Sequence, residues 1–273
     1  MANTFLEARD QFRQGLRSLL WIDYWDYATG LFGLPHPSDT AGMIRVIQQG
    51  HDLLHTDIVL VRGAYQWAPA PTDREPPLRQ LRQQLKQLAD QGHLATVLTG
   101  LTTLWGNSVP VFVSLPAPQK LLQDIQTTGT ETEVERAAMY QADFLRTLMP
   151  CHIAGVVLEA DEEPNSWESC QPIWNLADHY GWAKGVELAA RKVPILDPQR
   201  VGLDFLLLPD CALDQLSALW KLGIDVAGGL TKEFWETDQP LPSPSRRWGY
   251  GKIPATVRPE TVLDKLQQWC HRS

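Results

Sequence analysis

Residues 109–115 read VPVFVSL and residues 153–159 read IAGVVLE; between them the stretch to Leu148 carries a helical repeat. Strands covered on both faces show near-continuous apolar runs, whereas half-exposed strands alternate. Val134, Ala137, Ala138, Leu145 and Leu148 recur at helical spacing, and Thr130-x-x-Glu133 or Thr132-x-x-Glu135 offers a capping box ahead of them. Strand, helix and strand in that order make a parallel βαβ unit.

Working outward, the same kind of run recurs at Leu19–Tyr24, Asp57–Gly63, Ala183–Leu188, Leu203–Leu208, Gly223–Gly228 and, most weakly, Trp248–Ile253. Leu78, Leu81, Leu85 and Leu88 mark one helix, and Pro259 opens a last one with Val262, Leu263, Leu266 and Trp269 on its stripe. Eight β/α units within 273 residues predict a single-domain α/β fold, a (β/α)8 TIM barrel spanning residues 1–273. A Rossmann-like open sheet is the alternative, but no G-x-G-x-x-G follows the first strand and no P-loop follows any.

Composition narrows the function classes. With 44% hydrophobic and 21% charged residues the chain is neither disordered nor embedded in a membrane. Its net charge of −8 lacks the basic footprint of a protein that binds nucleic acid or an anionic membrane, so neither is expected as a partner. Cys151, Cys170, Cys211 and Cys270 are far apart, with no zinc-finger spacing. The first apolar run is stopped by Asp23 and does not read as a signal peptide. A cytoplasmic protein with reduced thiols is expected.

The segments after strands are long and punctuated by proline and aromatics: residues 25–40, 64–77, 160–172 and 230–247. Segments after helices, such as 106–108, are shorter. Long loops after strands gather at the C-terminal face of a barrel, where such folds place their sites. Strand ends there carry polar residues that an apolar interior would exclude. They are Asp23 and Asp26, Arg62, Ser114, Glu159 with Asp161 and Glu162, Glu187, Asp210 with Cys211, and Tyr250 with Lys252. Clustered carboxylates push one another's pKa values apart, which suits acid–base work. Asp23, Glu159, Asp161, Glu187, Asp210 and Cys211 are the candidate catalytic residues. Trp25, Arg62, Tyr65, Trp67, Ser114, Trp248, Tyr250 and Lys252 are the candidate substrate-binding ones. Arg62 and Lys252 neutralising Glu159 and Glu187 in a purely structural network is the competing explanation.

Three stretches together resemble the uroporphyrinogen decarboxylase / cobalamin-independent methionine synthase superfamily of TIM barrels. They are Val111–Pro118 with its following leucine pair, Glu133–Leu148 leading into Ile153–Pro164, and Trp248–Pro254 with Arg258–Leu263. The resemblance implies one-carbon group transfer or decarboxylation, by a methyltransferase-like or decarboxylase-like lyase. The chain departs from both parents. Members that methylate thiols hold zinc with a His-x-Cys after the fifth strand, where this chain has Lys184-Gly-Val-Glu-Leu188. Glu187 and Cys211 alone do not make a zinc site, so no metal and no cofactor are expected. The arginine-rich substrate loop of the decarboxylases corresponds to Asp23–Gly33, which has no arginine.

Trp25, Tyr27, Tyr65, Trp67, Trp167, Trp235 and Trp248 fall in or beside the long loops. They would either stack on a ligand, favouring an amine-bearing one in so acidic a mouth, or simply pack the loops down. His51 and His55 precede the second strand on the opposite face and are read as structural. Three functions follow: an enzyme acting on a small-molecule substrate, a non-catalytic ligand- or partner-binding relative that lost its metal, or a tryptophan-lined surface for a homodimer.

Overall fold

The structure, a computed structural model, describes residues 4–63, 76–125, 129–161, 167–189, 202–237 and 248–271, with residues 270 and 271 by backbone alone. All eight expected strands are present: β1 (Leu19–Asp23), β2 (Val59–Arg62), β3 (Val111–Pro116), β4 (Gly155–Ala160), β5 (Ala183–Leu188), β6 (Phe205–Leu208), β7 (Val226–Gly229) and β8 (Trp248–Lys252). Every neighbouring pair is parallel, in the order β1-β8-β7-β6-β5-β4-β3-β2. The ring closes between β1 and β2 through a parallel bridge from Trp21 to Ile58 and the Asp57 N–H donating to the Leu20 carbonyl at 2.9 Å. A (β/α)8 barrel results, and the open-sheet alternative is set aside. Among the described residues no helix is long and apolar enough to cross a membrane.

The helices are α1 (Thr4–Arg13), α2 (Trp25–Phe32), α3 (Thr40–Leu54), α4 (Pro77–Gln91), α5 (His93–Trp105), α6 (Pro118–Asp124), α7 (Glu131–Arg146), α8 (Gln171–Tyr180), α9 (Leu213–Lys221), α10 (Lys232–Glu236) and α11 (Pro259–His271). In α4 the leucine repeat buries Leu81, Leu85 and Leu88 against the barrel. α7 starts at Thr130, whose hydroxyl accepts from the Glu133 N–H while the Glu133 carboxylate takes the Thr130 N–H at 2.7 Å. The Thr132–Glu135 pair lies inside the helix. Residues 25–40, expected as loop, contain α2. Gly50 does not end α3, which runs on to a left-handed His55.

Two apolar layers follow from strand alternation. The outer one fills the space between strands and helices; the inner one fills the barrel with Trp21, Phe112, Phe205 and Trp248. Room for these rings comes from glycine. A Cβ at Gly185 would sit 2.1 Å from the Phe205 ring, and one at Gly155 2.3 Å from Phe112.

α1 closes the amino end, an element that sequence reading passed over. Phe5 enters the barrel, 4.9 Å from the Phe112 ring and 5.1 Å from Phe205, and Phe12 packs 5.4 Å from Trp248. Arg9 meets Asp204 at 2.7 Å, and Arg13 meets Asp225 through Nε at 2.8 Å. Just beyond, Arg17 pairs with Asp57. The signal was legible: phenylalanines seven apart, with arginines on the same flank, make an amphipathic plug.

Candidate active site

The inward positions of each strand change from apolar to polar toward the carboxyl end. β1 reads Leu19, Trp21, Asp23 inward and β8 reads Trp248, Tyr250, Lys252, and the same switch brings Arg62, Ser114, Glu159 and Glu187 inward. In a barrel of this kind the strands are inclined, so residues at one height come from alternate strands. Carried through the observed pairings, Asp23, Ser114 and Glu187 share one layer and Arg62, Glu159 and Lys252 the layer above.

Asp23 is buried, and its carboxylate accepts from Arg62 Nε at 2.9 Å and from the Trp25 N–H at 3.4 Å, where α2 begins. Arg62 also reaches Asp26 at 3.3 Å. Across the barrel, Glu187 accepts from the Tyr250 hydroxyl through one oxygen and from Lys252 Nζ through the other. Glu159 stands opposite Glu187 in the β4–β5 pairing, and its Oε1 is buried without a hydrogen-bond partner among the described residues. Ser114 is fully buried, and its Oγ is likewise unpartnered there.

The electrostatics follow from burial. Desolvation raises the Glu187 carboxyl above the ordinary range; Lys252 pulls it back, while Glu159 and Asp23 push it further up. Burial acts against the Lys252 ammonium, but Glu187 and Asp23 outweigh it and hold the cation protonated. Burial, reinforced by Glu187 and Asp23, lifts the Tyr250 hydroxyl well above its usual value, so it is a donor throughout the physiological range.

The barrel therefore brings together Asp23, Arg62, Ser114, Glu159, Glu187, Tyr250 and Lys252, and leaves the other candidates elsewhere. Asp161 is exposed and turned outward to Lys120 of α6 at 2.5 Å. Asp210 is exposed on the turn after β6. Cys211 is buried in the outer layer, and its thiol donates to Gln215 at 3.2 Å. Burial, with Asp214 adding to it, pushes that thiol up to about 11, so it stays protonated and is no nucleophile. Glu187 and Cys211 thus face opposite sides of the sheet and cannot share a metal. Among the described residues no group of three His, Cys, Asp or Glu side chains is placed to hold one.

The aromatic mouth is also corrected. Trp25, Tyr27, Trp167 and Trp235 are buried in the outer layer, where they pack loops and helices down. Trp248 opens β8, so it points inward but at the amino end, against Phe12. Tyr65, Trp67 and Glu162 lie outside the described residues. A cavity of ≈360 Å³ bordered by Asn107, Met149, His152, Tyr180 and Trp182 opens at the amino face and contains none of the candidates. His51, in the last turn of α3, keeps its ring against Trp105 and the Thr56 carbonyl, a structural role.

One supporting residue was missed. Gln141 sits fully buried in the apolar stripe of α7 and donates from Nε2 to the Pro116 carbonyl at 2.8 Å. It fixes the end of β3 beside Glu159, whose carbonyl takes the Ala117 N–H at 2.8 Å. A glutamine among Ala137, Ala138 and Leu145 was the available clue.

The fold and the polar layers define a parallel (β/α)8 barrel with an ionised floor at its carboxyl end. The chain is similar in structure to a methyltransferase from Methanosarcina mazei, with a TM-score of 0.66 over 95% of this chain and 97% of that one. Identity between them is 12%, so the likeness is one of fold. No protein-family model matches the sequence, and no curated protein matches it.

Proposed function

We propose that this chain is an enzyme that transfers or removes a one-carbon unit of a small molecule by acid–base chemistry at the carboxyl end of the barrel. The observation that carries the reading is the buried Glu187 carboxyl, held between the Tyr250 phenol and the Lys252 ammonium beneath a Glu159 whose Oε1 has no partner among the described residues. Charge set inside a barrel costs stability unless it is paired, and such clusters are common at functional sites. The fold likeness to a methyltransferase and the sequence resemblance to the uroporphyrinogen decarboxylase / methionine synthase superfamily both support chemistry of this class.

Each group has a role that its surroundings fit. Lys252, held as a cation, offsets negative charge developing on substrate. Glu187 and Tyr250 form a hydrogen-bonded pair in the lower polar layers. Burial favours the protonated Glu187 carboxyl, and in that form it is the acid. In a decarboxylation it would give its proton to the carbon left with the electron pair of the broken C–C bond as CO2 leaves, and would regain one from solvent. In a group transfer it would protonate the departing atom while the acceptor's own proton passes to solvent. Arg62, steadied by Asp23 and Asp26, gives a fixed positive edge.

The test is an isotope assay on the full chain. Methyl-labelled ammonium, thioether and folate donors are offered with a thiol acceptor, and carboxyl-labelled acids are followed for loss of CO2. Label should move in one arm, and Glu187→Gln should slow it about 100-fold with melting temperature retained. The missing His-x-Cys favours a second reading, a ligand-binding relative. Stabilisation by one of these compounds with no movement of label would establish it and sink the first.

A further inference from the structure

Two polar atoms at the top of the barrel lack partners among the described residues and stand on neighbouring strands, Ser114 Oγ on β3 and Glu159 Oε1 on β4. Ser114 is 0% exposed, and it faces inward because Phe112 before it lies in the inner core while Val113 lies in the outer. β3 pairs Ser114 with Val157 and Pro116 with Glu159, so in the inclined barrel Ser114 sits one layer beneath Glu159. A buried hydroxyl and a buried carboxylate oxygen left unmet both cost stability, so their pairing at one spot points to a ligand that satisfies them.

The neighbouring charges say which kind of ligand. Asp23 is neutralised by Arg62, and Glu187 by Lys252 with Tyr250. Glu159 is the carboxylate of these layers to which the described residues bring no counterion. An anionic group entering at this spot would meet the Glu159 carboxylate directly. Resting on the function proposed above, we infer that Glu159 Oε1 and Ser114 Oγ together receive the nitrogen of an amine- or amidine-bearing substrate. One N–H would donate to the carboxylate and a second to the hydroxyl. Glu159 and Ser114 are in this view specificity-determining residues, while proton movement stays with Glu187.

The experiment uses butylammonium, butan-1-ol and butyrate as probes on the full chain, with binding followed by ligand-observed NMR. Butylammonium should bind at least tenfold more tightly than either other probe. Glu159→Gln should weaken it about tenfold or more, and Ser114→Ala about threefold. Glu159→Gln should keep or raise the melting temperature, because it removes an uncompensated buried charge. Butylammonium binding undiminished in folded Glu159→Gln overturns the inference. So does failure of all three probes to bind at up to about 10 mM. Preference for butyrate, lost in Lys252→Met, overturns the amine assignment yet leaves the site standing. Failure of the site itself would appear instead as label transfer indifferent to Glu187→Gln.

Discussion

At the amino end of the barrel, Asp57, Asp204 and Asp225 stand just before β2, β6 and β7, and each meets an arginine from the N-terminal segment. At the carboxyl end, Asp23, Glu159 and Glu187 face into the barrel itself, two of them paired within it and the third with one oxygen unpartnered among the described residues. The amino-end carboxylates also accept backbone N–H groups, from Leu20 to Asp57 at 2.8 Å and from Lys184 to Asp204 at 2.9 Å. Below these pairs the interior is closed by aromatic rings. The comparison teaches how the two ends treat their acids: the amino end meets each of the three with an arginine, while the carboxyl end leaves an oxygen of Glu159 without a partner among the described residues.

The comparison breaks most readily in the aromatic plug. Phe205→Ala empties a site ringed by Phe5, Phe112 and Trp248 and should cost about 3–5 kcal/mol, read as a lower urea midpoint. A loss under about 1 kcal/mol would mean that the plug is not what holds this end.

The polar end should respond less, and with pH. Lys252→Met strands the Glu187 carboxylate and should cost about 2 kcal/mol, below the roughly 3–5 kcal/mol of an enclosed pair, because Lys252 is 41% exposed. The Glu187 carboxyl is raised above its ordinary 4.5. Above that pH the unfolded chain has already ionised while the folded one still holds the proton, so stability falls as pH rises from 4.5 through the folded value. Urea midpoints of Glu187→Gln should be flatter than wild type over that window. An identical slope in the two proteins would remove Glu187 from the account.

The smallest effect belongs to the arginine clamp. Arg13 is 43% exposed, so Arg13→Ala should cost about 1 kcal/mol, and the difference should shrink in 1 M salt, where the screening length is about 3 Å. A salt-independent loss would assign the effect to packing of the Arg13 stem rather than to charge.

Much of the working face was legible in the sequence, and the reason is parity. Once a strand is placed, its inward positions are fixed two by two, so Asp23, Arg62, Ser114, Glu159, Glu187, Tyr250 and Lys252 follow from runs such as LLWID and AKGVEL. What parity does not give is height, or direction past the strand end. Trp248 shares the inward face of Tyr250 but lies at the amino end. Cys211 follows β6 closely, yet the turn there sends its side chain outward, and its neighbours are Gln215 and apolar groups of the outer layer. The loop tryptophans looked like a binding mouth because sequence shows where an aromatic falls in the chain, not what it packs against.

By itself the sequence determined the eight buried strands and the polar ends that a purely apolar barrel would not tolerate, because two-sided burial and periodicity are local properties. Only the tertiary structure decided which acid meets which base. Glu187 finds Tyr250 and Lys252 across the ring, and Glu159 Oε1 and Ser114 Oγ find no partner among the described residues, because closing an inclined sheet sets neighbours from alternate strands that no local pattern encodes.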